Sequence, residues 1–76
     1  MSRYIWEIAR DIKREWKNVH YSAKPYLEAM LLLNDKTDKF ITDSASSIVL
    51  HFLSNASTFR GGNAKVLKNE LKEIIK

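Results

Sequence analysis

Apolar residues recur along this 76-residue chain at intervals of three and four, the spacing that gathers them on one side of a helix. The clearest case is Ser44 to Phe59, a stretch without a charge. In it Ala45, Ile48, Val49, Phe52, Leu53, Ala56 and Phe59 make one wide apolar face. Asp43 stands where an N-cap belongs, and Gly61-Gly62 follow as helix terminators. The pattern predicts a central apolar helix over residues 44–59, with Phe52 and Leu53 both buried and the other elements packed around it.

Three further helices follow from the same periodicity. Ser2 is placed to cap a first helix of about fifteen residues, with Ile5, Ile8, Ala9, Ile12, Trp16 and Val19 as its core stripe. At 100° per residue, Glu7, Asp11 and Glu15 fall on one flank of that stripe, and Arg10, Lys13, Arg14 and Lys17 on the other, with Trp6 beside the basic flank. Asn18 to Lys24 reads as irregular. Pro25 then fits the first turn of a second helix that runs to Leu33 and buries Leu27, Met30 and Leu31. Asn34 to Thr42 is the longest connection, anchored by Phe40 and Ile41. After the glycines, Asn63 is expected to cap a last helix over residues 64–75, which buries Ala64, Leu67, Leu71, Ile74 and Ile75. No stretch alternates as a strand does, so the expected fold is all-α: one domain over residues 1–76, a compact bundle of four helices.

Composition narrows the function. Hydrophobic residues at 45% suffice for a packed core, and the absence of cysteine removes disulfides, zinc thiolates and thiol nucleophiles. The N-terminus is charged from its third residue and has no apolar h-region, so a secretory signal is not expected. The longest apolar run, Ala29 to Leu33, is too short to cross a bilayer. Of the net charge of +4, residues 1–24 carry +3 (six basic, three acidic), residues 25–59 carry −2 (two basic, four acidic) and residues 60–76 carry +3 (five basic, two acidic). Basic ends around an acidic middle admit a polyanionic partner without requiring one.

Enzymatic and metal chemistry find little support. His51 and Ser47 are helical neighbours, but no acid lies on that face to orient the imidazole and no glycine elbow presents a serine. Asp35, Asp38 and Asp43 lack the spacing of a calcium loop and read as turn formers and a cap. Two histidines, His20 and His51, make no zinc site by themselves. Gly61-Gly62 lacks the spacing of a phosphate loop. No cofactor, catalytic residue, metal or small-molecule substrate is expected.

Two binding surfaces remain. Trp6, Tyr26, Leu32 and Leu33 are the candidates for a protein interface, as large apolar groups flanking or exceeding the core stripes. Lys65, Lys68, Asn69 and Lys72, with Lys76 on the same side of the last helix, are the candidates for nucleic-acid contact. The segments WKNV (Trp16–Val19), PYLEAM (Pro25–Met30), DSASSIVLHFLSNASTFRG (Asp43–Gly61) and AKVLKNELK (Ala64–Lys72) resemble a family of small proteins carried by phages and prophages of Gram-positive bacteria. Members of that family often carry Trp at the position of Phe59. The resemblance implies an accessory protein in the cytoplasm of a bacterial host cell and supplies no catalytic residues. The expected function is therefore non-enzymatic and works by protein–protein interaction, with DNA binding through the last helix as the alternative.

Overall fold

Each amphipathic segment forms a helix because its apolar stripe must be covered and a helix places that stripe on one side. The helices are α1 (Ile5–Glu15), α2 (Lys24–Met30), α3 (Ala45–Ser54) and α4 (Gly62–Ile74). The computed structural model describes residues 3–40 and 42–76. Between α2 and α3 the chain makes a short antiparallel ladder, β1 (Lys39–Phe40) with β2 (Asp43–Ser44), pairing Lys39 with Ser44 and Phe40 with Asp43. The fold is thus mostly helical with a small two-stranded sheet, not purely all-α. Two-residue strands are too short to leave an alternating pattern, which is why the periodicity missed them.

Helix α1 packs against both α4 and α2, and α2 packs against α3. Its stripe residues Ile5, Ile8, Ala9 and Ile12 are wholly buried, while α3 supplies Phe52, the largest fully buried side chain. Trp16, just past α1, stands edge-on to Phe52 and stacks on Phe59, with ring centroids 6.1 and 5.1 Å away. Among the described residues no polar or charged residue is buried. Removal of apolar surface from water therefore carries the stability of this interior. The radius of gyration, 11.0 Å, matches the roughly 11 Å that a close-packed chain of this length gives.

Several helix ends differ from the sequence expectation, each for a tertiary or side-chain reason. Helix α1 starts at Ile5 because the carbonyls of Asn34 and Leu33 accept from the N–H groups of Ile5 (2.7 Å) and Trp6 (2.9 Å). The Glu7 carboxylate closes the same end by accepting from the Tyr4 N–H at 2.9 Å. Ser2, the expected cap, lies outside the described residues. Helix α2 stops at Met30, and the turn that follows drives Leu33 into the core at 1% exposure. Ser44 rather than Asp43 caps α3, its hydroxyl accepting from the Ser47 N–H at 3.2 Å.

Helix α3 ends after Ser54, not at Phe59. There Asn55 Nδ2 donates to the His51 carbonyl (2.8 Å) and Ser54 Oγ to the Leu50 carbonyl (3.0 Å), local bonds that compete with helix continuation. Ala56 and Phe59 are still buried, but from a turn. Leu53 is only partly buried, contrary to expectation, because at 100° per residue it falls at the margin of the face that Ala45, Ile48, Val49 and Phe52 bury. Phe40 packs against the core; Ile41, its expected companion, lies outside the described residues. Gly61, not Asn63, precedes the first residue of α4, with φ 120° and ψ 178°. Only glycine adopts that conformation readily. The glycine pair therefore opens α4 rather than closing α3.

Candidate functional site

The turn from α3 into α4 brings cations together. Phe59, Arg60, Gly61, Lys65, Lys68, Asn69 and Lys72 surround a concavity of about 330 Å³. Lys65, Lys68 and Lys72 share a side because helical residues three and four apart are neighbours. Arg60 joins them from the turn that precedes Gly61 and the start of α4. Lys68 is the fixed member: its ammonium donates to the Ala56 carbonyl at 2.6 Å and lies 5.8 Å from the Phe59 ring centroid. Partial burial, followed by repulsion from Lys72 and Arg60, pushes the Lys68 amine below the ordinary lysine value. Arg60, Lys65 and Lys72 are exposed. Among the described residues, none of the four cations has a carboxylate within ion-pair distance.

The acids are engaged elsewhere. Arg3 grips Glu70 of α4 with two parallel bonds of 2.9 Å, and its remaining nitrogen reaches Asp11 of α1. Asp11 also takes Arg14 at 2.9 Å, and Asn63 Nδ2 donates to Glu15 at 3.2 Å. The Arg3 hydrogen bond holds the Asp11 carboxyl below its usual value. The acidic flank of α1, not its basic flank, therefore meets α4. Lys13 points instead to Glu28 of α2, at 3.6 Å. Lys76 is drawn to Glu73 at 3.4 Å and does not line the concavity with the other three lysines.

The residues expected at a protein interface are dispersed. Leu33 is a correction: it is a core residue, unavailable to a partner. Trp6 is half-buried, with the Arg10 guanidinium 5.3 Å over its ring and Tyr4 stacked at 6.3 Å. Tyr26 is partly covered by the core and stacks on His51 of α3, the ring centroids 5.3 Å apart. Leu32 alone of the four is open, at 72% exposure. Tyr21, Leu50 and Val66 are further large exposed residues that lay outside the expected set.

The remaining polar groups serve local geometry. Asp35 accepts from the Thr37 hydroxyl and N–H, which lowers its carboxyl, and Asp38 accepts from the Asn34 N–H at 2.6 Å. Both shape the loop before β1. His51 meets Tyr26, and no hydrogen bond joins it to Ser47 among the described residues. No group of three or more metal-ligating side chains occurs among the described residues, and no described helix is long and apolar enough to cross a membrane.

Sequence reasoning found the lysines, whose spacing is fixed by the helix, and missed Arg60, which stands outside any periodic segment. Its only signal was its place beside Gly61-Gly62. No protein-family model, curated protein or solved structure matches this chain.

Proposed function

We propose that this chain is a small non-enzymatic binding protein of the phage or prophage accessory type, working in the cytoplasm of a bacterial host. Its partner on this reading is nucleic acid, held through Arg60, Lys65, Lys68 and Lys72, with the Asn69 amide available to phosphate or base. The observation that supports it is the crowding of four cations around one concavity with no carboxylate within ion-pair distance among the described residues. Assembling like charges is unfavourable: the Lys68 amine is lowered first by its partial burial and further by repulsion from Lys72 and Arg60. A phosphate backbone would relieve the repulsion and release counterions from both partners.

The protein-interaction reading rests on Leu32, which presents most of its side chain to water at the end of α2. It ranks second, since Leu33 is buried and Trp6 and Tyr26 are partly covered. An electrophoretic mobility shift with random-sequence oligonucleotides at low salt tests the proposal. A shift that Lys65→Gln weakens and Leu32→Asp leaves alone supports it. No shift at tens of micromolar protein, within the usual range of non-specific binding, rules it out.

A further inference from the structure

Tyr21 has no packing reason to be where it is. It lies in the α1–α2 connection at 82% exposure and stacks on His20, with centroids 4.7 Å apart and ring planes 27° from parallel. His20 is itself braced, its Nδ1 accepting from the Ser22 N–H at 3.2 Å and lying 2.7 Å from the Ser22 hydroxyl. The pair is a two-ring platform whose histidine is braced at its Nδ1 edge by Ser22 and whose tyrosine is largely open to water.

A recess connects the platform to the turn that precedes the basic concavity. His20 and Ser22 border a recess whose other wall is the Asn55, Ser57 and Thr58 turn. That turn leads directly into Phe59 and Arg60, which rim the lysine cluster. The Trp16–Phe59 stack fastens the start of the α1–α2 connection to the end of the α3–α4 turn. The recess and the stack thus link the aromatic platform, through the neutral polar turn, to the residues that enter the cation cluster.

Cations alone do not distinguish a duplex from a single strand, because both present phosphates. An open aromatic face does. In a duplex each base face is covered by its neighbours, whereas a single strand can lay an unstacked base on a tyrosine while its backbone follows the positive charge. We infer that the platform and the cation cluster together bind single-stranded nucleic acid in preference to duplex, with Tyr21 as the base-stacking residue and Arg60, Lys65 and Lys72 following the phosphates. The inference rests on the nucleic-acid reading above and adds the strand state and the stacking contact. The longest extent of the Cα trace, 29 Å, limits the stretch of strand in contact to a short one.

The test is fluorescence anisotropy with labelled single strands of about ten nucleotides, in the range small single-strand modules cover, and with the matching duplex. Wild type, Tyr21→Ala and Tyr21→Phe are compared at one fixed salt concentration. The expected result is tighter binding of the single strand, weakened at least about five-fold by Tyr21→Ala, the lower end of what one base–aromatic stack contributes. Tyr21→Phe keeps the ring and should bind as wild type does, and duplex affinity should not change in either variant. Equal single-strand affinity in wild type and Tyr21→Ala would overturn the inference while leaving the nucleic-acid reading intact, provided that either probe binds. Failure of wild type to bind both probes would overturn the two together.

Discussion

The two flanks of α4 handle charge in opposite ways. On the side toward α1, Glu70 takes a two-bond grip from Arg3, which also reaches Asp11, and Asn63 meets Glu15. On the other side Lys65, Lys68 and Lys72 stand with Arg60 around an open concavity, unpaired with any carboxylate among the described residues. One helix thus carries a neutralised seam that fastens it to the fold and a charged surface of which the fold ties down only Lys68, through the Ala56 carbonyl. Charge that is matched inside the structure serves assembly; the unmatched charge is what the proposed nucleic-acid contact would use. Both flanks rest on the apolar face of Ala64, Leu67 and Leu71, so neither decides whether the chain folds.

The interior offers the strongest way to break this contrast, because it supports both flanks. Phe52→Ala removes the largest wholly buried side chain and should cost about 3–5 kcal/mol, a large part of a small domain's stability. Thermal melting should show near-complete loss of the cooperative transition. A variant that melts within a few degrees of wild type would contradict the packing described for α3.

The glycines sharpen the contrast at the point where the basic flank begins. Gly61 has a φ of 120° with nothing within 4 Å of an added Cβ, so Gly61→Ala is penalised by backbone strain alone, about 1–3 kcal/mol. Gly62 has ordinary helical geometry and equally open surroundings. Gly62→Ala should therefore be neutral or stabilising by up to about 1 kcal/mol. The denaturant midpoint should fall for Gly61→Ala and hold or rise for Gly62→Ala, and an equal fall in both would count against the assigned backbone.

Arg3 probes the neutralised flank. Arg3→Ala should cost about 1 kcal/mol, the upper end for partly exposed ion pairs with good geometry. The effect should depend on pH with a definite sign. The Asp11 carboxyl is depressed below its ordinary value of 3.8 in the folded chain, so its contribution is present above that value and lost as pH falls through the folded one. Stability curves of wild type and Arg3→Ala should therefore converge on acidification below that value. Curves that stay parallel would show that the clamp does not carry the difference.

Periodicity made the core legible: Ile5, Ile8, Ile12, Leu27, Met30, Phe52, Leu67 and Leu71 are buried as their spacing required. Helix ends were less so, because their causes lie elsewhere in the chain or in competing side chains. The carbonyls that start α1 belong to Leu33 and Asn34, and no local pattern near Ile5 encodes them. The charge-free run 44–59 reads as one helix until Ser54 and Asn55 turn their polar groups on the preceding carbonyls. Leu33 resembled a surface anchor because a helix extended past Met30 would have placed it outside.

For the site, the lysine series was readable from helical geometry alone, whereas Arg60 and Tyr21 were not. Both stand in connections, where position depends on tertiary packing such as the Trp16–Phe59 stack. Lys68 was readable as a basic residue but not as a structural one, its amine being tied to the Ala56 carbonyl.

That tie decides how the charged surface is best tested. Lys68→Gln would mix a lost structural bond with a lost charge, whereas Lys65 and Lys72 are exposed and should change stability by no more than about 0.5 kcal/mol when replaced by Gln. The most direct measurement is the salt dependence of oligonucleotide affinity for wild type and the Lys65→Gln/Lys72→Gln double variant. The account predicts a steep linear fall of log affinity with log salt in wild type. For each phosphate contact removed, the slope should become shallower by about 0.7 on a single strand or 0.9 on a duplex. Equal slopes for the two proteins, with melting curves unchanged, would contradict the claim that the unmatched flank of α4 binds phosphate.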